Sequence, residues 1–222
     1  TSTSTSTSMH TFKSKISNII AHFEKSPLPG LSSQLKLAPK SRLVEHAKYS
    51  RASELASKNA KNSAVLILFY PKENQTHLAM MVRAADKSVH SGQVSFPGGM
   101  AEESDESIIH TALREANEEL GIIPESVKII GQLSKLYIPP SNFDVYPIVG
   151  YTNSTPIFKT NYEVHKVLEV NLTTLLDPDT LTNKKIPHRT GNEFMVPCYY
   201  IQGEIIWGAS AMIMSELLEI IK

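Results

Sequence analysis

Along the 222-residue chain the apolar positions follow two periods, and the changes from one to the other outline the predicted elements. Phe12, Ile16, Ile19, Ile20 and Phe23 recur at helical spacing, and the run from Ser26 to Gly30, with prolines at 27 and 29, stops that helix. A second, polar helix is expected over about residues 40–58. Residues 64–70 (AVLILFY) form a short continuous apolar run, the mark of a buried strand. Turn chemistry over 71–76 then joins it to a neighbour at 77–83 (HLAMMVR), predicting an early hairpin. Ile109, Ala112, Leu113, Ala116 and Leu120 return to helical spacing; Gly121 stands where a left-handed cap belongs, and Pro124 prevents continuation. Strands are expected at 128–133, 145–151, 164–170 and 198–206, and an amphipathic helix at 210–221. Strands dominate, with helices at the start, middle and end. The expected architecture is therefore α/β, a mixed sheet sandwiched between helices (α/β/α) rather than a doubly wound sheet.

Composition narrows the classes. Lys and Arg total 22 and Asp and Glu total 22, so no global basic field argues for nucleic acid or an anionic membrane. The single cysteine, Cys198, excludes an intrachain disulfide and suits a reducing compartment, and no apolar run is long enough to span a bilayer. A cytoplasmic protein is expected. Residues 1–8 alternate Thr and Ser, and this low-complexity stretch is set apart as a leftover tag or a disordered tail. Residues 9–60 are then expected to be a helical N-terminal extension, compatible with a homodimer contact, and residues 61–222 the main domain.

Chemistry concentrates between Phe96 and Ile122, FPGGMAEESDESIIHTALREANEELGI. Glu115, Glu118 and Glu119 stand at i, i+3 and i+4 and share one helix face, where a divalent cation would relieve their mutual repulsion. Gly98 and Gly99 permit a tight turn and a close approach of backbone to ligand, so that a Gly98 carbonyl can join the carboxylates. An all-oxygen set selects Mg²⁺ or Mn²⁺ over zinc, and such an ion suits hydrolysis of a phosphoanhydride. Arg114, four residues before Glu118, can hold that carboxylate in place. A solvated acidic face is the usual meaning of a glutamate run, but the preceding Gly-Gly turn and capped end favour metal ligation. No G-K-[ST] follows the glycines, which excludes a P-loop.

These residues resemble a known family. Arg114-Glu115-Ala116-Asn117-Glu118-Glu119-Leu120-Gly121-Ile122 matches the REUxEExGU end of the Nudix box, where U is apolar. From Gly99 to Arg114 the chain has one residue more than the general GX5EX7RE spacing, so Asp105 or Glu106 takes the earlier acidic place. The coenzyme A pyrophosphatases are similar in carrying such an extra residue. Their approach to the box, an arginine, a small residue and a spacer ending in glycine shortly before FPGG, looks like Arg83-Ala84 followed by His90 to Gly99 here; Ser88 stands where a second basic residue is common.

The resemblance implies a Nudix fold and Mg²⁺- or Mn²⁺-dependent cleavage of a nucleoside diphosphate joined to another moiety. For the CoA subset the products would be 3′,5′-ADP and 4′-phosphopantetheine. Glu115, Glu118, Glu119 and the Gly98 carbonyl are the expected metal ligands, with Arg114 as orienter. Arg83 is expected to contact a substrate phosphate, and Gln93 and Phe96 to line the pocket. The general base is expected at Glu163, on a later loop, or at Glu115; Glu163 is also readable as an ordinary surface acid. His90 reads as packed or solvated, and Trp207 and Gly208 as packing residues. Two alternatives remain open at this level: the same chemistry on ADP-ribose, a dinucleotide or an oxidised nucleotide, and a non-catalytic Nudix-fold module that binds a nucleotide.

Overall fold

The computed structural model describes residues 2–49, 59–87, 90–188 and 190–222. Its first helix, α1, spans Ser2–Lys25, so residues 2–8 extend the helix expected from Phe12 instead of forming a separate tail. Once a helix is nucleated, adding residues at its end is easy even for Ser and Thr. Two shorter helices follow, α2 (Leu31–Leu35) and α3 (Lys40–Tyr49); the rest of the helix expected to reach residue 58 lies outside the described residues.

The centre is an eight-stranded mixed sheet. Strand β1 (Lys61–Lys72) and strand β2 (Gln75–Arg83) form the expected hairpin, turning through Glu73 and Asn74, both at positive φ. That is the backbone of a two-residue hairpin turn whose twist matches the strands. Along β1, Ala64, Leu66, Leu68 and Tyr70 point to one face while Ile67 and Phe69 point to the other, and both sets are buried. Burial on both faces explains why the sequence shows a continuous apolar run rather than alternation.

The hairpin does not stay closed. β1 pairs with β2 only from Phe69 onward, and β7 (Phe143–Tyr151) runs parallel along the other edge of β1 from Lys61 to Phe69. β8 (Val164–Asn171) likewise fills the outer edge of β2. The remaining lengths of the facing edges take up the segment before the central helix: β3 (Val94–Ser95) on β2 and β4 (Gly98–Met100) on β1. Residues 94–100 therefore sit in a fork between the two hairpin strands. β5 (Lys128–Gln132) and β6 (Leu136–Ile138) complete the sheet on the free edge of β7.

One face of the sheet is covered by α4 (Ile108–Leu120), through Ala112, Ala116 and Leu120. Its N-cap is Ser107, whose side chain accepts from the His110 amide, and its C-cap is Gly121 at φ 71°. The other face receives Phe12, Ile16 and Ile19 of α1 and the almost wholly buried final helix α6 (Gly208–Ile221). A short helix, α5 (Leu172–Leu176), leads into a three-stranded sheet of β9 (Leu181–Pro187), β10 (Glu193–Ile201) and β11 (Glu204–Ile206), which also packs on that side. The single strand expected over 198–206 is thus a hairpin, broken at Gln202 and Gly203, both at positive φ. Among the described residues no helix is long and apolar enough to cross a membrane.

Distant segments are tied by one buried carboxylate. Glu216 of α6 accepts from the Gly30 amide (2.6 Å) and the Ser134 amide (2.7 Å), pinning the start of α2 and the loop after β5 to the same side chain. Hydrogen bonds to an ionised acceptor are the strong kind, and two backbone donors satisfy a charge that burial would otherwise destabilise.

The fork leaves no room for a side chain at its inner strand. A Cβ on Gly98 would run into the Ala64 carbonyl oxygen and stand 2.7 Å from the Val65 Cα, both in the partner backbone. Gly98→Ala is expected to lower the unfolding free energy by about 2 kcal/mol or more, read as a drop in the denaturation midpoint with an unchanged slope.

Candidate active site

The glutamates of α4 hang over the fork. Gly99 pairs with Ala64, which faces α4, and a Cβ there would stand 2.5 Å from the Glu115 carboxylate. The absent side chain is what lets that carboxylate lie against the strand. Register also explains Gly98. The Leu66 amide donates to the Pro97 carbonyl (2.9 Å), which makes Val65–Gly98 the non-hydrogen-bonded pair of the ladder. The N–H and C=O of Gly98 therefore point away from β1, towards the side where its amide approaches Glu119.

Glu119 is 1 % exposed, and neither carboxylate oxygen has a hydrogen-bond partner among the described residues. Burial pushes its carboxyl up to about 8, with the charges of Glu115 and Glu163 acting in the same direction and Arg83 and the Gly98 amide opposing. Ser95, opposite Met81 on the α4 side of the sheet, has its hydroxyl buried without a partner as well. Orphaned buried oxygens are rare in folded proteins and indicate a missing donor or ion.

The rest of the acidic helix is organised by Arg114. Its Nε and Nη2 grip the Asp105 carboxylate at 2.8 and 3.0 Å. Nη2 also reaches the Met100 carbonyl (3.1 Å), and Nη1 contacts Glu115 (3.1 Å) and Glu118 (3.3 Å). Asp105 additionally accepts from the Thr111 hydroxyl and the Glu102 amide, and the Arg114 guanidinium holds its carboxyl well below the usual range. Glu115, itself mostly buried, is raised by desolvation against the opposing pull of Arg114. Glu118 is the open one, with its side chain 51 % exposed.

Opposite the helix, Arg83 ends β2 at a bulge, where the register against β8 slips between Val82 and Arg83. Such a bulge re-aims a side chain. The Arg83 guanidinium stands 3.8 Å from Glu163, whose charge reaches both Glu115 and Glu119. The Gln93 carbonyl accepts from the Arg83 amide, and its side chain meets His90 at 3.3 Å. Buried carboxylates on α4 thus stand on one side and a half-buried arginine on the other.

Comparison with known proteins identifies the family. A model of the NUDIX domain matches residues 60–189, more than half of the chain. The chain belongs to the Nudix family. Over 164 residues it is 37 % identical to the uncharacterized Nudix hydrolase NudL of Photorhabdus laumondii, a match covering 73 % of this chain and 86 % of that protein. NudL of Yersinia pestis is 33 % identical over 187 residues, covering 84 % and 89 %. A MutT/Nudix family protein from Enterococcus faecalis superposes with a TM-score of 0.47 at 13 % identity, over 82 % of this chain and 73 % of that one.

Of the residues expected at the site, the structure brings together Glu115, Glu118, Glu119, Arg114, Gly98, Arg83, Gln93 and Glu163. Phe96 does not belong with them. It is 1 % exposed and packs in the core on the opposite face, because strand alternation sends 94 and 96 away from α4 and 95 towards it. The earlier acidic place goes to Asp105: its carboxylate is sequestered by Arg114, while Glu106 faces solvent. Spacing alone left both open, and the bidentate grip on Arg114 separates them. Ser88, where a second basic residue is common in the CoA subset, lies outside the described residues.

The donors are all oxygen, the chemistry of a hard cation. As the side chains stand, no three acidic or imidazole groups among the described residues converge closely enough to hold one, since Glu115 and Glu118 turn to Arg114. The orphaned pair of oxygens on Glu119 and the bare backbone at Gly99 are the features that fit an ion there.

Glu119 sets a pH dependence. An unfolded glutamate titrates near 4.5 and the folded one near 8, so folding favours the proton: the stabilisation is complete below about 4.5 and is lost as pH rises through 8. Metal-free protein is expected to melt at progressively lower temperature between those pH values. Glu119→Gln is expected to flatten that decline, and parallel profiles for the two proteins would place the titration elsewhere.

Proposed function

We propose that this Nudix hydrolase cleaves the diphosphate linkage of coenzyme A or a CoA derivative, giving 3′,5′-ADP and 4′-phosphopantetheine or its acyl form. The observation that carries the reading is the placement of Arg83. It begins the stretch that resembles the CoA pyrophosphatases, and its guanidinium stands 3.8 Å from Glu163 and within electrostatic reach of Glu119. A diphosphate presents that arginine with a phosphate oxygen, and a guanidinium is suited to hold it.

In this reading Glu115, Glu118, Glu119 and the Gly98 carbonyl would hold Mg²⁺ or Mn²⁺, as Nudix hydrolases generally use. Once bound, the ion would offset phosphate charge and acidify water. Glu163 accepts the proton of the attacking water. As oxygen adds to one phosphorus, the bridging P–O bond breaks and its electron pair leaves with the other phosphate. One water is consumed and two phosphomonoesters result. Arg114 touches no reacting atom; it positions Glu115 and Glu118. Gln93 lies beside Arg83 and shapes the substrate side, while Glu115 is the alternative base.

Incubation with CoA and Mg²⁺, alongside ADP-ribose, a dinucleotide and an oxidised nucleotide, separates the substrate assignments by product chromatography. Formation of 3′,5′-ADP supports the proposal, and turnover of the others without CoA cleavage overturns the substrate. Glu119→Gln is expected to lower kcat by roughly 10²–10³-fold with the fold retained. Gly99→Ala, which forces the Glu115 carboxylate off the strand, is expected to lower kcat by at least about 10-fold; wild-type kcat in either variant would remove that residue from the site.

A further inference from the structure

The segment between β7 and β8 (residues 152–163) carries Glu163 into the cleft, and it is fastened to the catalytic helix itself. The last carbonyls of an α-helix lack partners within it. Here the Lys159 amide donates to the Leu120 carbonyl (2.9 Å) and the Asn161 amide to the Glu119 carbonyl (3.4 Å). Contact is close throughout: a Cβ on Gly121, at φ 71°, would stand 2.9 Å from the Lys159 Cβ and 3.0 Å from its amide nitrogen.

Asn161 is where this fastening meets the reacting side. While its amide holds the Glu119 carbonyl, its Oδ1 accepts from the Glu163 amide at 3.0 Å. Its own carbonyl accepts from the Val164 amide (3.2 Å), closing a tight turn, and the Ala84 amide donates to the Glu163 carbonyl (2.8 Å). An asparagine side chain bonded to the backbone two residues on is a compact way of setting a turn. The residue type matters for charge as well. An aspartate would offer the same acceptor but add a negative charge near Glu115, Glu119 and Glu163; asparagine offers it neutral. The backbone of Glu163 is thus fixed from both sides, by Asn161 and by Ala84, while its side chain is left for Arg83 and the cleft.

We propose that Asn161 is a positioning residue: by bonding the Glu119 carbonyl with its amide and the Glu163 amide with its side chain, it sets the loop carboxylate against the helix carboxylates. The assignment rests on the reading of Glu163 given above, and its test is a double-mutant cycle.

Steady-state kcat and KM are measured with Mg²⁺ for the wild type, Asn161→Ala, Glu163→Gln and the double variant, on the substrate turned over fastest in the screen described above. Asn161→Ala is expected to lower kcat about 10-fold with KM within about 2-fold. In the Glu163→Gln background the same change is expected to cost nothing further, because residues acting through one group are not additive. Amide hydrogen exchange gives a readout free of substrate: the Glu163 amide exchanges faster in Asn161→Ala and stays slow in Asn161→Asp, which keeps the acceptor. Wild-type kcat in Asn161→Ala, or an equal loss in both backgrounds, overturns the positioning role. So does unchanged exchange at Glu163. Wild-type kcat in Glu163→Gln overturns the assignment of Glu163 and the inference with it, leaving the diphosphatase reading standing; no turnover of any substrate by the wild type removes all three.

Discussion

The arrangement depends on a hairpin that is forced open. Because β1 and β2 pair only near their turn, two inner strand edges are left facing each other, and unpaired backbone in a buried sheet is costly. Residues 94–100 satisfy both edges at once, and doing so fixes where Gly98 and Gly99 lie. Gly98 is required by the closeness of the strands, and Gly99 by the Glu115 carboxylate that lies against it. The bare Cα of Gly99 in turn leaves the space that Glu115 occupies, while the ladder register turns the peptide group of Gly98 away from β1. Two adjacent glycines therefore serve the fold and the site together, and α4 needs only to lie across the fork for its acidic face to meet it.

Much of this was legible in the chain. The hairpin, the central helix with its glycine cap, and the final helix announce themselves through apolar period and turn chemistry, since those elements bury a face. Lys61–Lys72 lies within two or three residues of its expected span, the extra length being the polar ends that no apolar signal marks. What escaped follows the same logic. β9 reads Leu-Thr-Asn-Lys-Lys-Ile-Pro and buries little beyond Ile186, so it carries no periodic signal; it is held by pairing with β10. The break at Gln202-Gly203 was hidden by apolar residues on both sides. In the site, the glutamate triplet was read directly from spacing, whereas Phe96 was misplaced because its side of the strand depends on where β3 docks. Spacing left Asp105 level with Glu106, and Asn161 carried no signal at all, because their contacts with Arg114 and Glu163 are ones that sequence distance does not reveal.

Charge is handled by segregation. Overall the chain is neutral, yet Arg114 collects Asp105, Glu115 and Glu118 around one planar guanidinium, a hub that a lysine point charge could not reproduce. Glu119 is deliberately left outside that hub. Among the described residues neither of its oxygens has a hydrogen-bond partner, and burial raises its carboxyl.

The buried Glu216 has a consequence for how the molecule comes into being. Its carboxylate joins the start of α2, the loop after β5 and the last helix, and α6 also supplies much of the core behind β1. During synthesis the whole fork and α4 emerge before α6, with the far face of their sheet covered only in part, by Phe12, Ile16 and Ile19 of α1. The nascent chain therefore passes through a stage in which the box is complete but only partly supported, exposing apolar surface until α6 arrives. Docking of that helix closes the core and, through Glu216, ties the start of α2 and the loop after β5 to it.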